Sequence, residues 1–183
     1  MSHAIKVIPN FIEEKDRLKV ISIINEHGYK NTLLRFHSNP EVLVVPFDEE
    51  RVINLIREYS NKACFIQKQE YSFDRELFTT EAWLSLWLQG SWAGIHFDAD
   101  VGYESLKFST VVYLNDDFEG GEINFPAQEF KYKPKAGDAV IFPASNEYVH
   151  EVLPITRGRR YTIPMWHTDM EEDAAFWRAK PNY

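Results

Sequence analysis

His96 and Asp98 stand two residues apart, in a stretch that reads Ile95, His96, Phe97, Asp98. In an extended segment alternate side chains share a face. A strand over residues 94–98 would therefore bring an imidazole nitrogen and a carboxylate oxygen to one side, as two corners of a metal site. A second histidine from a distant strand would complete a facial set of two histidines and one carboxylate, which holds non-haem Fe(II) with positions left open. Composition alone gives roughly a third of one His-x-Asp pair by chance, so the pattern needs its context. A second pair, His167 and Asp169, does occur. No histidine follows it and an acidic run comes directly after, so it reads as a strand end leading into a helix.

The first pair follows Gly90, Gly94 and the aromatic stretch of Trp83 and Trp87, which predicts partial burial. A lone carboxylate there is costly, and a bound cation removes the cost. Asp100 shares the face of an ideal strand, but Asp98 is the immediate neighbour of His96, and Asp100 opens a loop over 100–105. The expected third ligand is His150, at the head of a strand. His27 and His37 fall at a helix end and in a turn, and His3 near the first residue. Over 159–166, alternation puts Arg160, Thr162, Pro164 and Trp166 on one face. Arg159, Tyr161, Ile163 and Met165 take the other. An inward arginine calls for an anion, and its rigid fork grips a carboxylate with two hydrogen bonds. Over 107–114 the same test leaves Thr110 as the lone inward hydroxyl among Phe108, Val112 and Leu114. A metal at one end, with Arg160 and Thr110 at the other, suits a dicarboxylic oxo-acid.

These groups need a scaffold. Residues 5–8 read as an edge strand. Asn10 is a candidate cap with Glu13 three residues on, and Ile12, Leu18, Ile21 and Ile24 recur at helical spacing up to Gly28. Strands are expected over 33–36 and 42–46, around a turn at Ser38, Asn39 and Pro40. Asp48 is expected to cap a second helix carrying Val52, Leu55, Ile56 and Tyr59. From Cys64 onward short apolar runs alternate with turn residues. Strands are expected over 63–67, 82–88, 94–98, 107–114, 121–125, 129–133, 138–142, 149–153 and 159–166. Residues 67–80 read as a loop beside the site, or a lid over it, and 168–180 as a short terminal helix. The expectation is one domain, mainly β with flanking helices. A helical part over about 1–62 packs on one sheet of a double-stranded β-helix core (a cupin-like jelly roll) over about 63–167.

At 183 residues and 44% apolar, the chain can bury a substantial core. Its net charge of −8 argues against a broad nucleic-acid partner and leaves room for a neutral or basic peptide. The single cysteine, Cys64, excludes an internal disulfide framework and reads as a small buried hydrophobe in a reducing compartment. No apolar leader or run of about 18 apolar residues is present, so the expected setting is cytoplasmic with no membrane partner.

One ordered string gathers these features. It runs His96-x-Asp98; Thr110, Val111, Val112, Tyr113, Leu114, Asn115; Gly120-Gly121-Glu122; Pro134-x-x-Gly137; Phe142-Pro143; His150; and Gly158-x-Arg160-Tyr161. Over roughly residues 82–167 it resembles the prolyl 4-hydroxylase-like branch of the Fe(II)/2-oxoglutarate dioxygenases. The resemblance implies a jelly roll with Fe(II) held by the catalytic residues His96, Asp98 and His150. It implies 2-oxoglutarate as co-substrate, its distal carboxylate on Arg160 with Thr110 assisting, together with O2 and ascorbate as an accessory. The reaction it implies is hydroxylation of a C–H bond, a peptidyl proline among the candidates, with 2-oxoglutarate converted to succinate and CO2. Oxidation of a free small molecule, or a non-catalytic metal-binding jelly roll, are the alternatives. Asp98 speaks against halogenating relatives, which leave that ligand position open.

Two positions depart from the family pattern. Trp87 stands where the family commonly has a tyrosine that bonds 2-oxoglutarate; an indole N–H donates a hydrogen bond but accepts none. Ala93 stands where an aromatic residue is common, with Trp92 and Tyr103 as candidates to replace it. The loops over 67–80 and 100–105 are expected to read the substrate.

Overall fold

The structure is a computed structural model that describes residues 5–27, 33–34, 42–45 and 50–174. It opens with β1 (Lys6–Ile8), α1 (Glu14–His27), β2 (Leu33–Leu34), β3 (Val42–Val45) and α2 (Ile53–Glu70). The β-rich part then runs β4 (Phe78–Ala82), β5 (Leu84–Trp87), β6 (Ala93–His96) and β7 (Leu106–Tyr113). It continues with β8 (Glu119–Gly120), β9 (Ile123–Phe125), β10 (Phe130–Tyr132) and β11 (Ala139–Pro143). β12 (His150–Val152), β13 (Ile155–Arg157) and β14 (Arg160–Thr168) complete it.

The major sheet has the order β1-β11-β7-β14-β5-β3-β2, with β4 also paired to β14, and the minor sheet the order β10-β9-β12-β6. All the described pairings are antiparallel. Between the sheets Tyr113, Val140 and Phe142 of the major sheet meet Ile123 and Phe125 of the minor one. The outer face of the major sheet is equally apolar. Val112, Leu114, Ile163 and Met165 pack there against Val20, Ile24, Ile56 and Ala63 of the two helices. Ile24 and Ile56 are fully buried, and each such side chain stabilises the fold by about 1.5–3 kcal/mol. The result is a jelly roll with helices on one sheet, as the sequence pattern implies, and its major sheet is buried on both faces.

Several expected boundaries are corrected. Asn10 does not cap α1: it adopts φ 51°, and its N–H donates to Asp138 Oδ1 at 3.0 Å. The helix starts after Glu13, whose carbonyl accepts from the N–H groups of Asp16 and Arg17. Asp48 and the turn at residues 38–40 lie outside the described residues. Residues 63–67 are not a strand but the last turns of α2, where Ala63, Cys64 and Gln67 are buried at helical spacing. A short apolar run looks the same in a buried helix and a buried strand, and here the tertiary context chose the helix. The expected loop over 67–80 shortens to residues 71–77. Its start is helix and its end is β4, while Tyr71 stacks on Phe108 at 4.7 Å and Phe73 meets the same ring edge-on at 5.3 Å. After β14 only a 3₁₀ turn, Glu171–Ala174, falls within the described residues of the expected terminal helix.

β8 and β13 were not expected, and they explain the first of the paired glycines. Gly120 has φ +75°, and a Cβ there would lie 2.0 Å from the Pro154 carbonyl oxygen. Only glycine lets β13 approach so closely. Among the described residues no helix is long and apolar enough to cross a membrane.

Candidate active site

His96 and His150 are direct cross-strand partners on β6 and β12, with ring centroids 4.3 Å apart. Each Nδ1 faces a backbone carbonyl, Gly94 O at 2.7 Å for His96 and Tyr148 O at 3.0 Å for His150. A carbonyl only accepts, so each Nδ1 carries the proton and each Nε2 keeps its lone pair for a metal. Both Nε2 atoms lie 3.9 Å from an Asp98 oxygen, His96 from Oδ1 and His150 from Oδ2. The three ligand atoms fall within 4.8 Å of one another. Burial pushes the His150 pKa down, and neighbouring His96 adds to this against the opposing pull of Asp98. The imidazole is thereby kept in the neutral form that ligates. Two nitrogens and one oxygen, open on one side, form a donor set suited to Fe(II).

β6 ends at His96, so Asp98 is not on a strand. Strand alternation, the argument that first joined the pair, does not hold it. Its Oδ2 instead accepts a 2.5 Å hydrogen bond from Ser109 Oγ of β7.

Across the same cavity stands Arg160, which is 2% exposed. Its Nε has no hydrogen-bond partner, and no carboxylate pairs with it among the described residues. Its guanidinium carbon lies 5.1 Å from the Trp87 ring centroid and 5.2 Å from that of Tyr113. Burial lowers the pKa of Arg160, against a raising influence from Tyr113. A guanidinium held this way needs an anion in the cavity, because leaving it unpaired is far costlier than pairing it. The expected inward face of β14 is observed, with Arg160, Thr162, Pro164 and Trp166 all lining the cavity.

Thr110 is a correction. Thr110 borders the cavity, but its hydroxyl is engaged by Gln67 Nε2 of α2, which donates to it at 2.8 Å, and by His167 Nε2 at 3.1 Å. The inward face of β7 is the other one, carrying Ser109, Val111 and Tyr113. Both faces of β7 are buried, so its pattern carries no phase to read. Sequence reasoning thus missed two residues. Ser109 holds Asp98, and the buried Tyr113 hydroxyl has no hydrogen-bond partner among the described residues while its ring lies against Arg160. The pairing of Thr162 with Tyr113 across β14 and β7 would have given the phase, had the register been known.

The two family departures prove to be neighbours. Trp87 and Ala93 pack in one buried cluster with Val152 and Ile155. Trp87 itself sits opposite Arg160 on β5 and lines the cavity. Nearer the mouth, Trp83 and Trp166 meet edge to face at 4.6 Å, and Trp83 Nε1 donates to Glu81 Oε1 at 2.5 Å. His167 and Asp169, set aside as a metal pair, are indeed apart from this site. His167 is fully buried among Cys64, Thr79 and Thr110, and Asp169 is paired with Arg75 and Lys107. His167 is the next-to-last residue of β14, at the expected strand end, but it is buried and not solvated.

The family model of the 2OG-Fe(II) oxygenase superfamily matches residues 82–168, the stretch that carries every group described above. Over that stretch the chain is similar to that superfamily. The superfamily's name carries the two components that the donor set and Arg160 call for. Rat (Rattus norvegicus) prolyl 3-hydroxylase 2 is 38% identical over 71 residues, a match that spans 36% of this chain and 10% of that protein. Among solved structures, a collagen prolyl hydroxylase of Paramecium bursaria Chlorella virus-1, in complex with 2-oxoglutarate, aligns with a TM-score of 0.69 at 20% identity. That alignment covers 91% of this chain and 96% of the viral one. A prolyl hydroxylase from Trichoplax adhaerens, in complex with a hypoxia-inducible-factor peptide fragment, aligns with a TM-score of 0.72 at 17% identity. The alignment covers 96% of this chain and 87% of that one. At these identities the structural matches speak for the fold.

Proposed function

We propose that the protein is an Fe(II)- and 2-oxoglutarate-dependent dioxygenase that hydroxylates a C–H bond. The observation that carries this reading is the buried, anion-less Arg160, which faces the same cavity as the His96 and His150 Nε2 atoms and Asp98. Bound there, Fe(II) and 2-oxoglutarate would supply the redox chemistry, in which O2 is consumed, the oxo-acid becomes succinate and CO2, and the substrate gains a hydroxyl.

The chain's own groups prepare that chemistry. Gly94 O and Tyr148 O hold the two imidazoles as Nδ1–H tautomers, so both Nε2 atoms ligate without first losing a proton. Arg160 takes the distal carboxylate through its fork, with the Tyr113 hydroxyl as a further donor. Trp87 flanks the guanidinium and limits its water. Trp83 and Trp166 wall the mouth and keep solvent from the reacting C–H bond.

The substrate assigned in this proposal is a peptide, with a prolyl residue as the reacting group. Its support is the naming of the prolyl 3-hydroxylase relative and the peptide held by the Trichoplax hydroxylase. Ascorbate enters as an accessory reductant. The test is anaerobic addition of Fe(II) and 2-oxoglutarate to the purified chain, watching for the visible metal-to-ligand charge-transfer band. The band is expected in the wild type and lost in a His96→Ala/His150→Ala double variant. Its absence from wild type, or its survival in the double variant, defeats the proposal. Succinate release with proline-containing peptide libraries, with and without ascorbate, then tests substrate and accessory.

A further inference from the structure

We propose that Ser109 is a positioning residue that holds the Asp98 carboxylate in place for metal binding. The inference rests on reading His96, Asp98 and His150 as a metal site. Because β6 stops at His96, no ladder hydrogen bond fixes the Asp98 backbone. Two contacts replace the ladder. Ala99 N–H donates to the Ala144 carbonyl at 2.9 Å, which anchors the chain just past Asp98, and Ser109 Oγ donates to Asp98 Oδ2 at 2.5 Å, which orients the carboxylate.

Ser109 is well placed to hold that orientation. It is 2% exposed and lies within β7, paired to Phe142 of β11 on one side and Trp166 of β14 on the other. The next residue, Thr110, is fastened from behind by Gln67 and His167. The hydroxyl therefore stands on a strand held in the sheet plane and on its reverse face.

Asp98 turns both oxygens to the histidines, Oδ1 at 3.9 Å from His96 Nε2 and Oδ2 at 3.9 Å from His150 Nε2. Each carboxylate oxygen has two lone pairs, so the serine proton on Oδ2 leaves either oxygen able to ligate. What the hydrogen bond restrains is rotation of the carboxylate about its side-chain bonds. Ser109 thereby keeps Asp98 turned towards the two imidazoles before a metal arrives.

The test titrates the metal-free full chain with Mn(II), following free Mn(II) by electron paramagnetic resonance, and records the thermal midpoint of each metal-free variant. Removing an outer partner of a metal ligand weakens metal binding by about 10–100-fold. Ser109→Ala is expected to show that loss with its thermal midpoint near wild type, and Ser109→Thr, which keeps the donor, to restore wild-type affinity. If Ser109→Ala does not fold, Ser109→Cys, similar in size and a weak donor, is read the same way. Wild-type affinity in Ser109→Ala or Ser109→Cys, or an equal loss in Ser109→Thr, overturns the inference and leaves the metal site standing. A wild-type chain that takes up no Mn(II) overturns the metal site itself, and the inference with it.

Discussion

Arg160 and Trp87 are cross-strand partners on β14 and β5, with the guanidinium carbon 5.1 Å from the indole centroid, and Tyr113 flanks the same cation at 5.2 Å. Two aromatic faces replace part of the water that a buried guanidinium gives up, each such contact being worth up to about 2 kcal/mol when desolvated. They leave the fork's edge for an anion.

Arg160→Lys keeps the charge and removes the planar fork. The expected result is wild-type Mn(II) affinity with 2-oxoglutarate bound roughly 10- to 100-fold more weakly, the equivalent of one or two lost charge-assisted hydrogen bonds. Titrating 2-oxoglutarate into the Fe(II)-loaded chain under nitrogen, by the charge-transfer band, measures this directly. An unchanged 2-oxoglutarate midpoint would remove Arg160 from the co-substrate site.

The Trp87 and Ala93 pair makes a prediction about packing. Both lie in one buried cluster with Val152 and Ile155. Ala93→Tyr alone puts a large ring against the indole and is expected to destabilise by about 1–3 kcal/mol. Adding Trp87→Tyr frees space, so the double variant should recover part of that loss. The coupling in such contacts is typically about 0.5–3 kcal/mol. Urea unfolding of the two single variants and the double completes the cycle, and strict additivity would mean that the two departures from the family pattern are unrelated.

Much of this site was legible in the sequence because each group had a local signature. His96 and His150 are polar residues at strand ends with Asp98 two residues past the first, and Arg160 is a single charge on an otherwise uncharged face. What could not be read were choices made by tertiary packing. Residues 63–67 could be strand or helix until α2 was seen lying along the sheet. Thr110 and Ser109 could exchange faces because β7 is buried on both sides, and neither composition nor alternation chooses between them. The turn from Asn10 to Glu13 was settled by Asp138, 128 residues away, which claims the Asn10 N–H. These are long-range facts, and they moved boundaries and faces without moving the fold class.

Thr110 offers a test of the corrected face. Its hydroxyl accepts from Gln67 and meets His167, all three fully buried. Thr110→Val removes the hydroxyl with little change of shape and leaves the Gln67 amide without that partner. The expected loss is about 1–3 kcal/mol of stability with 2-oxoglutarate affinity near wild type. Thermal unfolding and the co-substrate titration on the same preparation report the two effects separately. A strong loss of 2-oxoglutarate binding at unchanged stability would return Thr110 to the pocket.

His167 gives the pH prediction. It is fully buried with Cys64 Sγ at 3.4 Å from Nδ1 and the hydroxyls of Thr79 and Thr110 at 3.1 Å from Nδ1 and Nε2. None of these carries a charge to offset an imidazolium, and burial also pushes the Cys64 thiol up to about 11, keeping it neutral. Burial lowers the His167 pKa from 6.5 to about 3. Below pH 6.5 the unfolded chain therefore binds a proton at this residue that the folded chain refuses. The stability from a neutral His167 is complete above 6.5, is lost as pH falls, and levels off near 3. Within that window the loss from this one residue is about 1.4 kcal/mol per pH unit. Unfolding the metal-free chain in urea at several pH values between these limits should give a steeper fall for wild type than for His167→Gln. The metal ligands His96 and His150 are present in both proteins and contribute equally to each curve. Parallel curves for the two proteins would show that His167 is protonated in the folded state, or that water reaches it, and would end the claim.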